Sequence, residues 1–334
     1  MSARAALLAM GCALLAACAV SAQTGSVPVV TPATSERTVE ETSFRAGDGA
    51  ELRALLSVPK GRGPFPVVVT LHGGAGGRDY RVLRGHAAPE AGSPTVQMLN
   101  GEPWAVYAIG YRAGAILGRE EEDVLDGIRA IKADPRIDPR RVAVFGGSHG
   151  GQLALRAAIR ASDGISCVAA GSPWMTDPVL HFYGDPAAPP LSTISPAARA
   201  WLLDRREVML PGLSRNTGAP PASLRAHLLS RSIEAQAGAI TVPTLFLTSR
   251  ADVQVPHVLV EPTIARMRAA GRPVEVLTVN DSLHGFYWGR EGEFGARAGT
   301  GAKTAVQRAE EEQARTTLRA FLGRCLQQPR ASRG

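Results

Sequence analysis

Six short apolar runs constrain this chain more than any other feature. Phe65–Leu71, Trp104–Ile109, Arg141–Phe145, Ile165–Ala170, Val242–Thr248 and Pro273–Val279 are each five to seven residues long and largely lack polar–apolar alternation. Strands of that kind are apolar on both faces, so both faces must be covered, and a parallel sheet wrapped by helices does this. Helix patterns lie between the runs. Ser93-Pro94 reads as an N-cap and first-turn pair opening a helix to Asn100. Glu120–Ala133 carries Val124, Ile128 and Ile131 on one stripe, with acid in its first turn and Lys132 in its last. His149–Ala161 is alanine-rich, Val258–Ala270 ends at Gly271, and a last helix over Lys303–Leu326 places Val306, Leu318, Phe321, Leu322 and Cys325 on one side. Such alternation predicts a doubly wound α/β domain.

Two segments depart from that rhythm. Thr38–Arg45 and Glu51–Val58 flank Gly47-Asp48-Gly49 and predict a hairpin ahead of the first parallel strand. Residues 172–238 are rich in proline, carry several aromatics and include short helical pieces such as Pro196–Arg206. That is too long for a simple connection and predicts a lid inserted between two strands.

The ends read differently from the domain. Residues 1–22 have Arg4 followed by the apolar run Ala5–Ala17, too short to span a bilayer, and predict an export signal. Val20-Ser21-Ala22 offers cleavage before Gln23, whereas Leu15-Ala16-Ala17-Cys18 offers a lipobox, which would leave a lipid anchor on Cys18. Residues 23–37 read as a tether, 38–326 as the domain and 327–334 as a polar tail. Beyond the leader only Cys167 and Cys325 remain, either as buried thiols or as a disulfide.

The formal charge of +7 invites a nucleic-acid reading. Only Lys60, Lys132 and Lys303 are lysines among 37 basic residues, and the arginines are scattered without a block of like charge. Nucleic-acid arms are usually such blocks, so no nucleic-acid partner is expected. There is no C-x-x-C or H-E-x-x-H pattern, and neither a metal nor an organic cofactor is expected.

The chemistry centres on Gly146-Gly147-Ser148-His149-Gly150, a G-x-S-x-G sequence where a strand ends and a helix begins. In a strand–turn–helix elbow the serine is thrust out at the strand end and side chains at 146 and 150 would collide with neighbouring backbone, so glycine is required there. A serine hydroxyl needs a base. His284 follows the last run in N-D-S-L-H-G-F, and Asp252 follows the run before it in T-S-R-A-D-V-Q-V-P. Ser148, Asp252 and His284 thus stand in the order nucleophile, acid, base, with Asp281 a rival carboxylate and Asp252 alternatively a helix cap. Leu71-His72-Gly73-Gly74 follows the first parallel run. The backbone N–H of Gly73 or Gly74, with that of His149, would form the oxyanion hole, and no role is assigned to the His149 side chain. Trp174, Phe182, Tyr183 and Trp201 of the insert are candidates for the substrate pocket or for a plain lid core. Arg78, Tyr80 and Arg112 read as surface residues that could also meet an anionic substrate.

The stretch from Asp123 to Gly151, together with Leu71-His72-Gly73-Gly74, Ala251–Pro256 and Leu283–Phe286, resembles the catalytic domain of the prolyl oligopeptidase and dienelactone hydrolase branch of the α/β-hydrolases, over roughly residues 40–325. The resemblance implies a mostly parallel eight-stranded sheet flanked by helices and carries over Ser148, Asp252, His284 and the oxyanion amides. Peptidases of that branch usually carry a large N-terminal β-propeller that restricts access to short peptides. Only residues 23–37 separate the leader from the first strand here, so the expectation is a hydrolase of small carboxylic esters. The alternatives are an aminopeptidase- or dipeptidase-like enzyme acting on short peptides, and an inactive hydrolase fold used for binding.

Overall fold

The computed structural model describes residues 36–74, 79–289 and 302–327. The leader, most of the tether, the polar tail and Arg78 lie outside the described residues.

Eight strands form one sheet: β1 (Arg37–Arg45), β2 (Glu51–Pro59), β3 (Phe65–Leu71), β4 (Ala105–Ile109), β5 (Ile137–Gly147), β6 (Cys167–Gly171), β7 (Thr244–Ser249) and β8 (Val274–Val279). Their order is β1-β2-β4-β3-β5-β6-β7-β8. The β1–β2 hairpin joins antiparallel to β4, and every pairing from β4 to β8 is parallel. The parallel strands therefore all end at one edge, where loops gather.

Among the described residues ten α-helices accompany them: α1 (Tyr80–Ala87), α2 (Pro94–Asn100), α3 (Glu120–Lys132), α4 (His149–Arg160), α5 (Pro178–Tyr183), α6 (Pro196–Met209), α7 (Leu213–Thr217), α8 (Leu224–Ser230), α9 (Glu261–Ala269) and α10 (Ala305–Gln327). Alternate residues of each strand supply two cores. Val67, Val69, Val142 and Val144 meet Val124, Ile128 and Ile131 of α3, Leu153 of α4 and Ile264 of α9. Val68, Val106 and Phe145 meet Leu83 of α1, Val96 and Leu99 of α2, and Leu318, Phe321 and Leu322 of α10. Val306 departs from the expected apolar stripe: it is the second residue of α10, before the buried residues begin, and is 52% exposed.

Local signals act where the sequence places them. The Ser93 side chain accepts the Val96 N–H and opens α2. Gly271 takes a left-handed φ of +65° just past α9. Cys167 and Cys325 are free thiols that face one another between β6 and α10, and burial pushes the Cys167 thiol well above its ordinary value. Among the described residues no helix is long and apolar enough to cross a membrane.

Between β6 and β7 the chain leaves the sheet and builds α5 to α8. These pack around a small core of their own, in which Phe182, Leu213, Leu224 and Leu228 meet Ile116 and Leu117 from the loop after β4. The insert is tied down through charge. Buried Glu121 on α3 binds Arg156 of α4 at 3.1 Å and Arg231, just beyond α8, at 2.6 Å.

Candidate active site

Ser148 sits between β5 and α4 with φ 56° and ψ −121°, a region that L-residues rarely adopt. Surrounding bonds hold it there. Its N–H donates to the Gly171 carbonyl at 2.8 Å, and its carbonyl accepts from Trp174 at 3.0 Å and Gln152 at 3.1 Å. The close approach is severe: a Cβ at Gly146 would lie 2.1 Å from the Gly150 carbonyl oxygen, and one at Gly150 would lie 2.2 Å from that of Leu71. Glycine is the only residue that fits, as the elbow reading requires.

The loop after β3 runs beside the serine, and Gly73 approaches it so closely that a Cβ there would stand 3.3 Å from the Ser148 Cβ. Tyr111, stacked on the His72 ring at 4.1 Å, donates its hydroxyl to the His72 carbonyl at 2.6 Å and fixes the start of this loop. The loop's continuation, 75–78, lies outside the described residues.

Asp252 and His284 meet at the same sheet edge. Asp252 Oδ2 is 2.8 Å from His284 Nδ1, and both side chains are almost wholly buried. The other carboxylate oxygen, Oδ1, accepts the N–H groups of Gln254 and Val255, each at 2.9 Å. Those N–H groups lie in the loop before the next helical turns, whose N-caps, Pro256 and Val260, take no side-chain bond, so Asp252 holds its own loop rather than capping a helix. Asp281 is exposed, and its backbone N–H is held by Glu310 of α10 instead. Of the other histidines, His72, His86, His149 and His227 bind backbone carbonyls, and His257 pairs with Thr248 and Glu261.

The turn after His284 packs under the elbow. The Tyr287 ring lies so close to Gly147 and Gly171 that a Cβ on either would collide with it. Burial, and next the Asp252 carboxylate, push the Tyr287 phenol well above its ordinary value, so it stays neutral.

A small cavity of about 30 Å³ opens between the insert and the Asp252 loop. Trp174, Leu180, His181, Leu191, Leu202 and Val255 line it. The expected pocket set needs correction. Trp174 lines this pocket, but Phe182 is turned into the insert's own core, and Tyr183 is 44% exposed. On α6 the lining residue is Leu202, and its neighbour Trp201 is half-buried outside the lining. Adjacent positions on a helix face different ways, so Phe182 and Trp201 missed the pocket by one residue and Tyr183 by two. His181 is neutral there: burial, and next Arg206, push it down to about 3. Tyr80 and Arg112 take structural partners. Tyr80 donates to the Thr42 carbonyl, and Arg112 pairs with Asp123 and Asp48. Among the described residues no group of three or more His, Cys, Asp or Glu side chains is placed to hold a metal ion.

A strained serine at the end of the central strand and a buried Asp–His pair at the ends of the next strands define a class. A family model for the alpha/beta hydrolase fold matches residues 105–288, and the chain belongs to that family. Among individual proteins, the chain is 30% identical over 129 residues to the uncharacterized peptidase YuxL of Bacillus subtilis (strain 168), which covers 34% of this chain and 18% of that protein. It superposes on a puromycin hydrolase with a TM-score of 0.64 at 18% identity, over 89% of this chain and 40% of that one. The acylaminoacyl peptidase of Pyrococcus horikoshii gives a TM-score of 0.58 at 16% identity, over 89% and 43%. The chain spans less than half the length of each of these proteins, and the two structures share its fold.

Proposed function

We propose that this protein is a serine hydrolase that cleaves small carboxylic esters through an acyl-enzyme. Ser148 Oγ attacks the ester carbonyl. His284 takes the serine proton at Nε2 and returns it to the departing alcohol. Asp252 accepts a hydrogen bond from the Nδ1–H of His284, which fixes the tautomer and stabilises the imidazolium. The N–H groups of His149 and of Gly73 or Gly74 face the oxyanion. Water, activated by the same histidine, then releases the acid and restores the serine.

The observation that carries this reading is the buried 2.8 Å contact between Asp252 and His284, at the sheet edge where Ser148 is held strained. Support for an ester comes from Trp174, Leu180, Leu191, Leu202 and Val255, the apolar side of a lining that also carries Thr176, Gln254, the Asp177 carboxylate that caps α5 and the neutral His181. The test is an assay of p-nitrophenyl esters of rising chain length, beside fluorophosphonate labelling, with wild type and Ser148→Ala. The expected result is a fall approaching ~10⁶-fold in kcat for the variant, as for other serine triads. A second reading, hydrolysis of short peptides, is favoured by the likeness to peptidases. A fluorogenic peptide panel run alongside separates the two. We also propose export of the protein, on the pattern of residues 1–22; the mass of the mature N-terminus distinguishes cleavage before Gln23 from a lipidated Cys18.

A further inference from the structure

We infer that the His149 side chain, backed by Glu120, is a strut that positions the oxyanion loop. This rests on the serine-hydrolase reading above and adds a role to a side chain next to the nucleophile. His149 Nδ1 lies 2.8 Å from the carbonyl oxygen of Gly74. Its Nε2 lies 3.5 Å from Glu120 Oε1 at the start of α3, and both side chains are fully buried. The other oxygen of Glu120, Oε2, accepts the Gly118 N–H at 3.0 Å. The rings of Tyr111 and Trp174 stand nearly perpendicular to the imidazole, at 5.7 and 6.1 Å.

The chemistry of these partners fixes the protons. A carbonyl oxygen only accepts, so Nδ1 must carry hydrogen to bind Gly74. Burial pushes the Glu120 carboxyl up, but the His149 ring and nearby backbone N–H groups outweigh it and hold it below its ordinary range. The ring is then held between a carbonyl on the oxyanion loop, bound through Nδ1, and the Glu120 side chain on α3, 3.5 Å from Nε2. One chain segment presents both the N–H of His149 and the side chain that fixes Gly74. The two halves of the oxyanion hole, from the β3 loop and from α4, are thereby held at one spacing. A donor displaced by a fraction of an ångström loses most of its value to a developing charge, because such bonds weaken steeply with distance and angle.

The test compares wild type, His149→Ala, His149→Asn and Glu120→Gln on an ester and on its thionoester, with thermal midpoints measured for each. A sulfur in place of the carbonyl oxygen fits the oxyanion donors poorly, so the ester-to-thionoester ratio of kcat/KM reports on their placement. His149→Ala is expected to lose about 10- to 100-fold in kcat, part of what removal of a whole donor costs. KM should stay within about threefold, and the ester preference should shrink. His149→Asn, whose amide N–H occupies the place of Nδ1, should recover part of the loss. Glu120→Gln should show a smaller loss of the same kind. Folded variants with wild-type kcat and ester preference would overturn the strut, as would a loss of kcat that leaves the preference untouched. If His149→Ala does not fold, the Asn and Gln variants decide by the same criteria. Full activity of Ser148→Ala would instead overturn the serine-hydrolase reading itself, which keeps the two failures apart.

Discussion

Asp252 reaches His284 with one carboxylate oxygen and holds its own loop with the other. Oδ2 is 2.8 Å from the imidazole, while Oδ1 takes the N–H groups of Gln254 and Val255 at 2.9 Å each. The aspartate is therefore oriented before it orients anything else. In Asp252→Asn the amide can keep its oxygen toward the two N–H groups and turn its NH₂ toward His284. That would force the unprotonated nitrogen of the imidazole to face residue 252 and place a proton on Nε2. We expect kcat to fall by about 10⁴, the effect of a wrong tautomer in a triad. The thermal midpoint should change little, because the loop bonds survive. Ester hydrolysis and a melting curve on one preparation check both halves, and near-normal activity would sink the proposed role.

The His284 turn depends on a residue far along the chain. Glu310 of α10 accepts the N–H groups of Asn280, Asp281 and Ser282 at 2.8, 3.2 and 2.8 Å, and the Ser282 hydroxyl at 2.7 Å. Partial burial pushes its carboxyl up, but these donors outweigh burial and hold it below its ordinary range. A depressed folded-state value means that the stabilisation is full above the unfolded-state value, about 4.3, and is lost as pH falls through the folded one. The midpoint gap between wild type and Glu310→Ala should be widest near neutral pH and close as pH drops below about 4. At neutral pH the variant should also lose kcat, by up to about 10²-fold, because His284 is less well placed. A gap that stays constant from neutral pH to pH 2 would contradict this account.

Much of this was legible in the sequence because it depends on local pattern. The apolar runs predicted the parallel strands, since a strand covered on both faces cannot alternate. The glycines at 146 and 150 predicted the elbow because the G-x-S-x-G spacing is itself local, although the backbone that Gly150 makes room for, at Leu71, lies far along the chain. Asp252 and His284 could be found by their places after the last two strands. The insert resisted the same treatment. Phe182 and Tyr183 end a six-residue helix too short to show a period, and Trp201 lies on α6, where few side chains are buried, so none gave a facing direction. The Glu120–His149 contact was hidden for another reason. A glutamate in the first turn of α3 reads as a complement to the helix dipole, and only the tertiary fold shows that it is fully buried against a histidine. Glu310 was invisible likewise, as one acid among several on a polar helix.

The insert is anchored through Glu121, whose carboxylate serves Arg156 at 3.1 Å and Arg231 at 2.6 Å. Arg156 is only 4% exposed, so removal of its partner leaves a guanidinium without compensation inside the protein. Glu121→Ala is expected to cost about 3–5 kcal/mol, the usual penalty for breaking a buried pair from one side. Urea denaturation followed by fluorescence would measure it, and a loss under about 1 kcal/mol, as for an exposed pair, would contradict the burial argument.

The cavity between the insert and the Asp252 loop makes its own prediction about acyl chains. Leu180 lines it from α5, opposite Val255 of the Asp252 loop. Leu180 is half-buried and its carbonyl, not its side chain, receives Arg206, so the side chain can change without undoing that anchor. A tryptophan there would fill the cavity and crowd the space at its mouth. If the acyl group enters this space, Leu180→Trp should leave acetyl esters nearly unchanged and reduce kcat/KM for hexanoyl esters by roughly 10- to 200-fold, the range for a hydrophobic pocket that loses room for a methylene or more. Parallel progress curves with p-nitrophenyl acetate and hexanoate give the comparison directly. An equal fall on both esters would mean that the substitution disturbs the catalytic centre, and no change on either would place the acyl chain somewhere other than between α5 and the Asp252 loop.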